Sequence, residues 1–186
     1  MGADPDEPLV IAFEGQRRLA LGPLHEVEPA VRAAMARLGE PVLAFDARTS
    51  RPVEIAPTGA PPPPAQPAAR PRGRPRLGVA AREVTLLPRH WEWLAAQPGG
   101  ASAALRRLVE GASRAHQHLD RRRAAQESAY RFLSAMAGDL RGFEEASRAL
   151  FRGDAERFAA ETQAWPPDIR DHAQSLASTA FETGEA

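Results

Sequence analysis

The chain has 186 residues, 43% of them apolar, with 24 basic and 24 acidic side chains and no cysteine. That length suits one or two small domains with real cores, and the missing thiols exclude disulfides, thiolate zinc sites and cysteine nucleophiles. With no apolar run of about 18 residues and no signal-like segment at the N-terminus, a soluble cytoplasmic protein is expected.

The zero formal charge conceals a strong segregation. Residues 1–60 carry 6 Arg against 9 acids, and 61–90 carry 6 Arg against Glu83 alone. Residues 91–137 carry 7 against 4, and 138–186 carry 5 against 10. A basic middle between acidic ends is an ordinary footprint of an anionic partner. Every basic residue is Arg, and Ala and Pro are abundant, so isolated Arg-Pro-Gly strings weigh less here than in an average sequence.

Residues 1–7 are polar and acidic and read as disordered. Leu9 to Phe13 is a short buried-strand run, with Gln16 to Leu21 its hairpin partner across Glu14-Gly15. From His25 to Leu38 the apolar residues Val27, Ala30, Val31, Ala34, Met35 and Leu38 keep helical spacing, and Gly39 suits the cap. Val42 to Phe45 and Pro52 to Ile55 predict a second hairpin, so residues 8–56 read as a ββαββ module. Asp46, Arg48 and Glu54 lie close in sequence, but turn polarity accounts for them.

Residues 57–76 form a Pro- and Arg-rich linker whose prolines favour extended polyproline conformations and a semi-rigid tether. Its Pro61–Pro64 run is also a possible dock for a proline-recognising partner. Residues 77–137 hold a β-rich segment, Arg82 to Leu87, then a helix opened by Pro88 and broken at Pro98-Gly99-Gly100. Ser102 starts a second, long helix marked by Leu105, Leu108, Val109, Ala112, Leu119, Tyr130 and Leu133. The C-terminal helical region, 138–186, has Phe143, Ala146, Leu150 and Phe151 in one helix closed by Gly153. Asp154 caps the next, anchored by Phe158, and Trp165 to Asp168 leads into the last, an acidic helical bundle in all.

Trp91 and Trp93, two apart on a helix, point to different sides and are assigned to core or interface. His116 and His118, also two apart, cannot chelate one metal from one face. Asp168 is expected as an N-cap, and Asp171 as a partner of Arg170 or Arg148. No Walker loop, dinucleotide fingerprint, serine elbow or zinc-protease signature occurs, so no enzyme, cofactor or metal is expected.

Pro71-Arg72-Gly73-Arg74-Pro75-Arg76 resembles the AT-hook. In such a tract glycine lets the backbone sink into a narrow A·T-rich minor groove, where two arginines meet the deepest negative potential. The following stretch, Arg82 to Ala112, resembles the ribbon-helix-helix fold of Arc- and MetJ-like repressors. Val84 to Pro88 stands where that fold has its strand and first-helix proline, and Gly100-Ala101-Ser102 where it has its turn. The resemblance implies that strands from two subunits pair as a ribbon in the major groove, and that the backbone of Ser102 and Ala103 holds a phosphate. The strand departs from that pattern. One phase turns Arg82, Val84 and Leu86 toward DNA, where aliphatics reach only thymine methyls, and the other turns Glu83 toward phosphate. Over nearly its full length the chain also resembles an uncharacterised bacterial family, domain of unknown function 2239. The runs Gly73 to Gly100, Ala129 to Leu140 and Trp165 to His172 carry that likeness.

Together these readings predict an α+β protein: a ββαββ module, a Pro-rich linker, and a ribbon-helix-helix-like unit running into a C-terminal helical bundle. The expected function is DNA binding of the transcription-regulating or nucleoid-associated type, in a bacterial cytoplasm, as a homodimer. The DNA-binding residues are Arg70, Arg72, Gly73, Arg74, Pro75, Arg76, Arg82, Ser102 and Ala103; the dimer strand is Val84, Thr85, Leu86 and Leu87. The alternative is a protein-interaction adaptor that binds no nucleic acid.

Overall fold

A computed structural model describes residues 8–37, 39–56 and 82–182. An N-terminal β-β-α-β module is followed by helices to the end of the described chain. Two compact units divide these residues, one built from 8–56 and 118–182, the other from 82–117.

The first unit is built on strand β1 (Leu9–Glu14), the centre of a three-stranded antiparallel sheet ordered β2-β1-β3. Strands β2 (Arg17–Pro23) and β3 (Val42–Asp46) flank it. Val10, Ile11, Ala12 and Phe13 are all buried. A continuous apolar run, not an alternating one, is what a strand covered on both faces requires. Val10 and Ala12 pack with Val27 and Val31 of helix α1 (Leu24–Ala36) and with Ile55. Ile11, Phe13 and Phe45 face the other way, into the larger core.

That larger core is helical on its far side. Helix α3 (Gly100–Met136) brings Ala129, Phe132 and Leu133 to it, α4 (Phe143–Arg152) Ala146 and Leu150, and α5 (Ala155–Thr162) Phe158. Helix α6 (Pro167–Phe181) adds Ile169 and the alanine row Ala173, Ala177 and Ala180. Phe132 is the hub, 5.4 Å from the Phe13 ring and edge-on to Phe45 at 5.9 Å. The C-terminal helices form the expected bundle, and that bundle shares its core with the sheet of 8–56.

Two expectations about elements are corrected. Pro52 to Ile55 is not a fourth strand; it makes one isolated bridge, Pro52 to Phe45, with single bonds from the Val53 amide to the Ala44 carbonyl and from Asp46 to Arg51. Proline has no N–H to give a ladder, so pairing stops there. The long helix starts at Gly100, two residues before Ser102, and runs unbroken for 37 residues, about 55 Å. Among the described residues no helix is long and apolar enough to cross a membrane.

Candidate nucleic-acid interface

The second unit carries the described part of the expected DNA site. Arg82 to Leu87 has no regular secondary structure, and all of it is exposed except the half-buried Leu86. Leu87, in extended conformation, caps helix α2 (Pro88–Ala95), with Pro88 at its first position, where a missing N–H leaves no bond unmade. Helix α2 ends at Ala95 with Ala96 as its C-cap, and Gly99 and Gly100 follow with φ of 82° and 72°. Those values lie in the left-handed region open to glycine, so the turn needs these two residues.

Helix α3 then opens with no acidic residue in its first turn. The backbone donors of a first helical turn have no intrahelical acceptors, and the dipole there is positive. Ser102 and Ala103 sit inside that turn, Ser102 exposed and Ala103 half-buried. Ser102 is not the cap: its carbonyl accepts from the Arg106 Nε at 3.2 Å, as a residue within the helix does. Arg107 reaches back to the Pro98 carbonyl at 3.1 Å and fixes the turn.

This unit buries little of itself. Among the described residues from 82 to 117 only Leu94 and Ala104 are buried hydrophobics. Val84, Leu87, Trp91, Trp93, Leu108 and Val109 all stand exposed, Trp93 by 53% and Val109 by 66%. Neither tryptophan enters a core of the single chain; Leu94 takes that place. The arm itself, Arg70, Arg72, Gly73, Arg74, Pro75 and Arg76, lies outside the described residues, as does the Pro61–Pro64 run.

In the first unit the polar groups noted in the sequence are structural. The Asp46 carboxylate accepts from the Thr49 hydroxyl and backbone at 2.7 Å and from the Arg48 backbone at 3.1 Å. Burial alone raises its pKa, but those bonds and the Arg48 charge together outweigh it and hold the carboxyl below its usual range. Asp168 is not an N-cap, a place taken by Pro166; it accepts from the Arg18 backbone at 2.8 Å and so ties α6 to β2. Asp171 pairs with Arg170 at 2.8 Å. His118 contacts the Glu182 carbonyl, and in the second unit His116 contacts that of Ala112. An open cleft of about 740 Å³ lies between Gln16, Arg17, Glu40 and the Pro166-Pro167-Asp168 corner.

Two clusters were not legible in the sequence. Ser50, buried and at φ 52°, shares a 3.2 Å hydroxyl contact with Ser128 of α3, which donates to the Arg48 carbonyl at 2.7 Å. Arg131 donates to the Thr49 carbonyl beside them. These partners are 78 to 82 residues apart, so no local pattern announces them. The second is a row of rings on α3 and α4, Tyr130 between Phe143 and Phe151. Spacing marked each as a helix anchor, but not that Tyr130 and Phe151 remain on the surface.

A family model described as an uncharacterized protein conserved in bacteria, DUF2239, matches residues 9–177. No curated protein and no solved structure matches the chain.

Proposed function

The chain belongs to the DUF2239 family of bacterial proteins, and from its own residues we propose that it is a DNA-binding protein of regulatory or nucleoid-associated type, not an enzyme. Arg72, Gly73 and Arg74 lie along the floor of an A·T-rich minor groove, with Arg70, Pro75 and Arg76 extending the tract. Arg82 and the backbone of Ser102 and Ala103 touch phosphate, where the first turn of α3 offers free donors and positive potential. The segment Val84, Thr85, Leu86 and Leu87 pairs with its equivalent in a second copy, so the working form is a homodimer.

One observation carries this reading. Directly after the most basic stretch of the chain, a helix pair exposes Val84, Leu87, Trp91 and Trp93 and buries only Leu94 and Ala104 among its described apolar residues. Half of a dimer core set beside a row of cations has this character. The same exposed tryptophans favour a second reading, an adaptor that docks a protein partner through them.

A salt series on duplex binding separates the two. Binding to an A·T-rich duplex should exceed that to a G·C-rich one and fall by about 0.9 log units per log unit of salt for each phosphate neutralised. Arg72→Ala with Arg74→Ala should lower that slope by about two for each copy bound. An unchanged slope would make the arm a linker only, and no duplex binding in dilute buffer would leave the adaptor.

A further inference from the structure

We propose that the N-terminal part of helix α3, within the second unit, is one strand of an antiparallel coiled coil, and that the other strand is the same segment of a second copy. The proposal deepens the homodimer of the reading above by assigning it a helical seam, and it rests on no contact with DNA. From Arg106 to Gln117 every residue of α3 is exposed, so no described residue covers any side of the helix there. A helical segment of that length without tertiary contacts is marginal in water.

Its residues are ordered for a helical partner. Leu105, Leu108, Ala112 and Ala115 follow one another at steps of 3, 4 and 3, the a and d positions of a heptad. Val109, Gly111 and His116 flank that seam. Arg106, Arg107, Glu110, Ser113, Arg114 and Gln117 all fall at the outward positions b, c and f. Gly111 is a poor helix former, yet a Cβ there would meet nothing within 4 Å. No contact within the chain asks for glycine at that place, whereas the close approach of a second helix does.

The alternation of large and small side chains identifies the partner. In an antiparallel pair with its two-fold axis at the level of Glu110, positions equidistant from Glu110 face one another. Leu105 then meets Ala115 of the second copy, and Leu108 meets its Ala112. Every layer sets a large side chain against a small one, and each contact occurs twice, as a two-fold interface requires. A parallel pair would stack leucine on leucine and alanine on alanine, leaving the alanine layers open.

The charges fit the same arrangement. Arg114 pairs with Glu110 of its own helix at 3.4 Å, while Arg106 and Arg107 are held by the carbonyls of Ser102 and Pro98. The seam therefore buries no charge and brings no two like charges together, and antiparallel helices oppose their dipoles. A helix that carries both halves of its own complement needs no other protein, and a second copy is present whenever the chain is made.

The chain has no cysteine, so introduced thiols report the pairing directly. Full-length Leu105→Cys and Ala115→Cys chains, one with a size tag, are mixed under mild oxidation and read on a non-reducing gel. The mixture should form the disulfide-linked heterodimer, because the two positions face each other. Neither variant should link to itself, since each position lies about 15 Å along the helix from its equivalent and a disulfide needs Cα atoms within about 7 Å. Self-linking of each variant would make the pair parallel, and no linking at all would remove the seam; either result overturns the proposal. Gly111→Leu gives a second measure. The single chain has room for the side chain, so helical content should hold, while self-association followed by sedimentation should weaken at least about tenfold. An unchanged association constant would also overturn it. A dimer that forms without the mixed disulfide would lose the seam and keep the homodimer, and duplex binding is measured apart, so the two readings fail separately.

Discussion

At the scale of single residues the pH response is set by His172. Its ring lies 4.7 Å from Phe132 and 5.9 Å from Phe13, and its buried Nε2 has no hydrogen-bond partner. Burial, then the Arg18 charge, push its pKa from 6.5 down to about 4. The folded state thus resists a proton that the unfolded chain accepts. Its contribution to stability is complete above pH 6.5 and is lost as pH falls toward 4. Urea midpoints measured across that window should fall for the wild type. His172→Phe, which keeps a ring in place without a titrating group, should flatten that part of the profile; an equally steep variant would clear His172 of the role. The serine latch makes a second prediction at this scale. Ser128→Ala removes the donor to the Arg48 carbonyl and the partner of the buried Ser50 hydroxyl, and should cost about 1–3 kcal/mol in chemical unfolding. Ser50→Val should cost more, because a β-branched side chain is strained at a φ of 52°.

Elements were legible where the signal was local. The continuous apolar run of Leu9 to Phe13 announces a strand buried on both faces, and the structure supplies a cover for each. Asp154, read as an N-cap, accepts from the Arg157 backbone at 2.9 Å. Asp154→Ala should therefore lower stability by about 1 kcal/mol, an effect thermal unfolding can resolve, whereas Asp171→Ala, an exposed ion pair within α6, should change it little. Legibility fails where tertiary contact overrides a local cue. Pro52 to Ile55 has β-type side chains, but its proline leaves only one bridge to Phe45. Asp168 reads in sequence as a cap, yet it lies inside the first turn of α6 and bonds a backbone amide 150 residues away. The C-terminal helices look self-sufficient in sequence because each has an apolar face. Nothing local says that the shared neighbour of those faces is Ile11, Phe13 and Phe45. Of the candidate interface, the turn chemistry was legible, the proline start and the glycine pair; the Arg-rich tract lies outside the described residues. The ring row was not legible, since exposure depends on which face each neighbour covers.

For the whole molecule the open question is how residues 82–117 are completed. Folding entropy is of the order of 1–2 kcal/mol for each residue fixed, and the burial of Leu94 and Ala104 offsets little of that. The exposed set is large: Trp91 and Trp93 alone belong to a residue type that buries about 150–250 Å² per side chain at an interface. Val84, Leu87, Leu108 and Val109 are exposed with them, and a standard interface buries roughly 800 Å² per partner. Such a surface needs a partner whenever the chain is made, and a second copy always meets that condition. Sedimentation of the full chain without nucleic acid should accordingly give twice 20.1 kDa at micromolar concentration. Leu108→Glu with Val109→Glu should return the mass to that of one chain. Diluting the wild type should redden its tryptophan emission, because Trp91 and Trp93 lose their cover while Trp165, buried in the first unit, keeps its own. The arm gains from the same event. In the proposed dimer two copies would present two arginine tracts to one duplex, the second at the effective concentration set by the dimer, so monomer-forming substitutions far from any phosphate should weaken duplex binding by about 100-fold or more. A chain that stays monomeric at high concentration and binds duplex equally well would leave the arm as the whole of the affinity and remove the dimer from the mechanism.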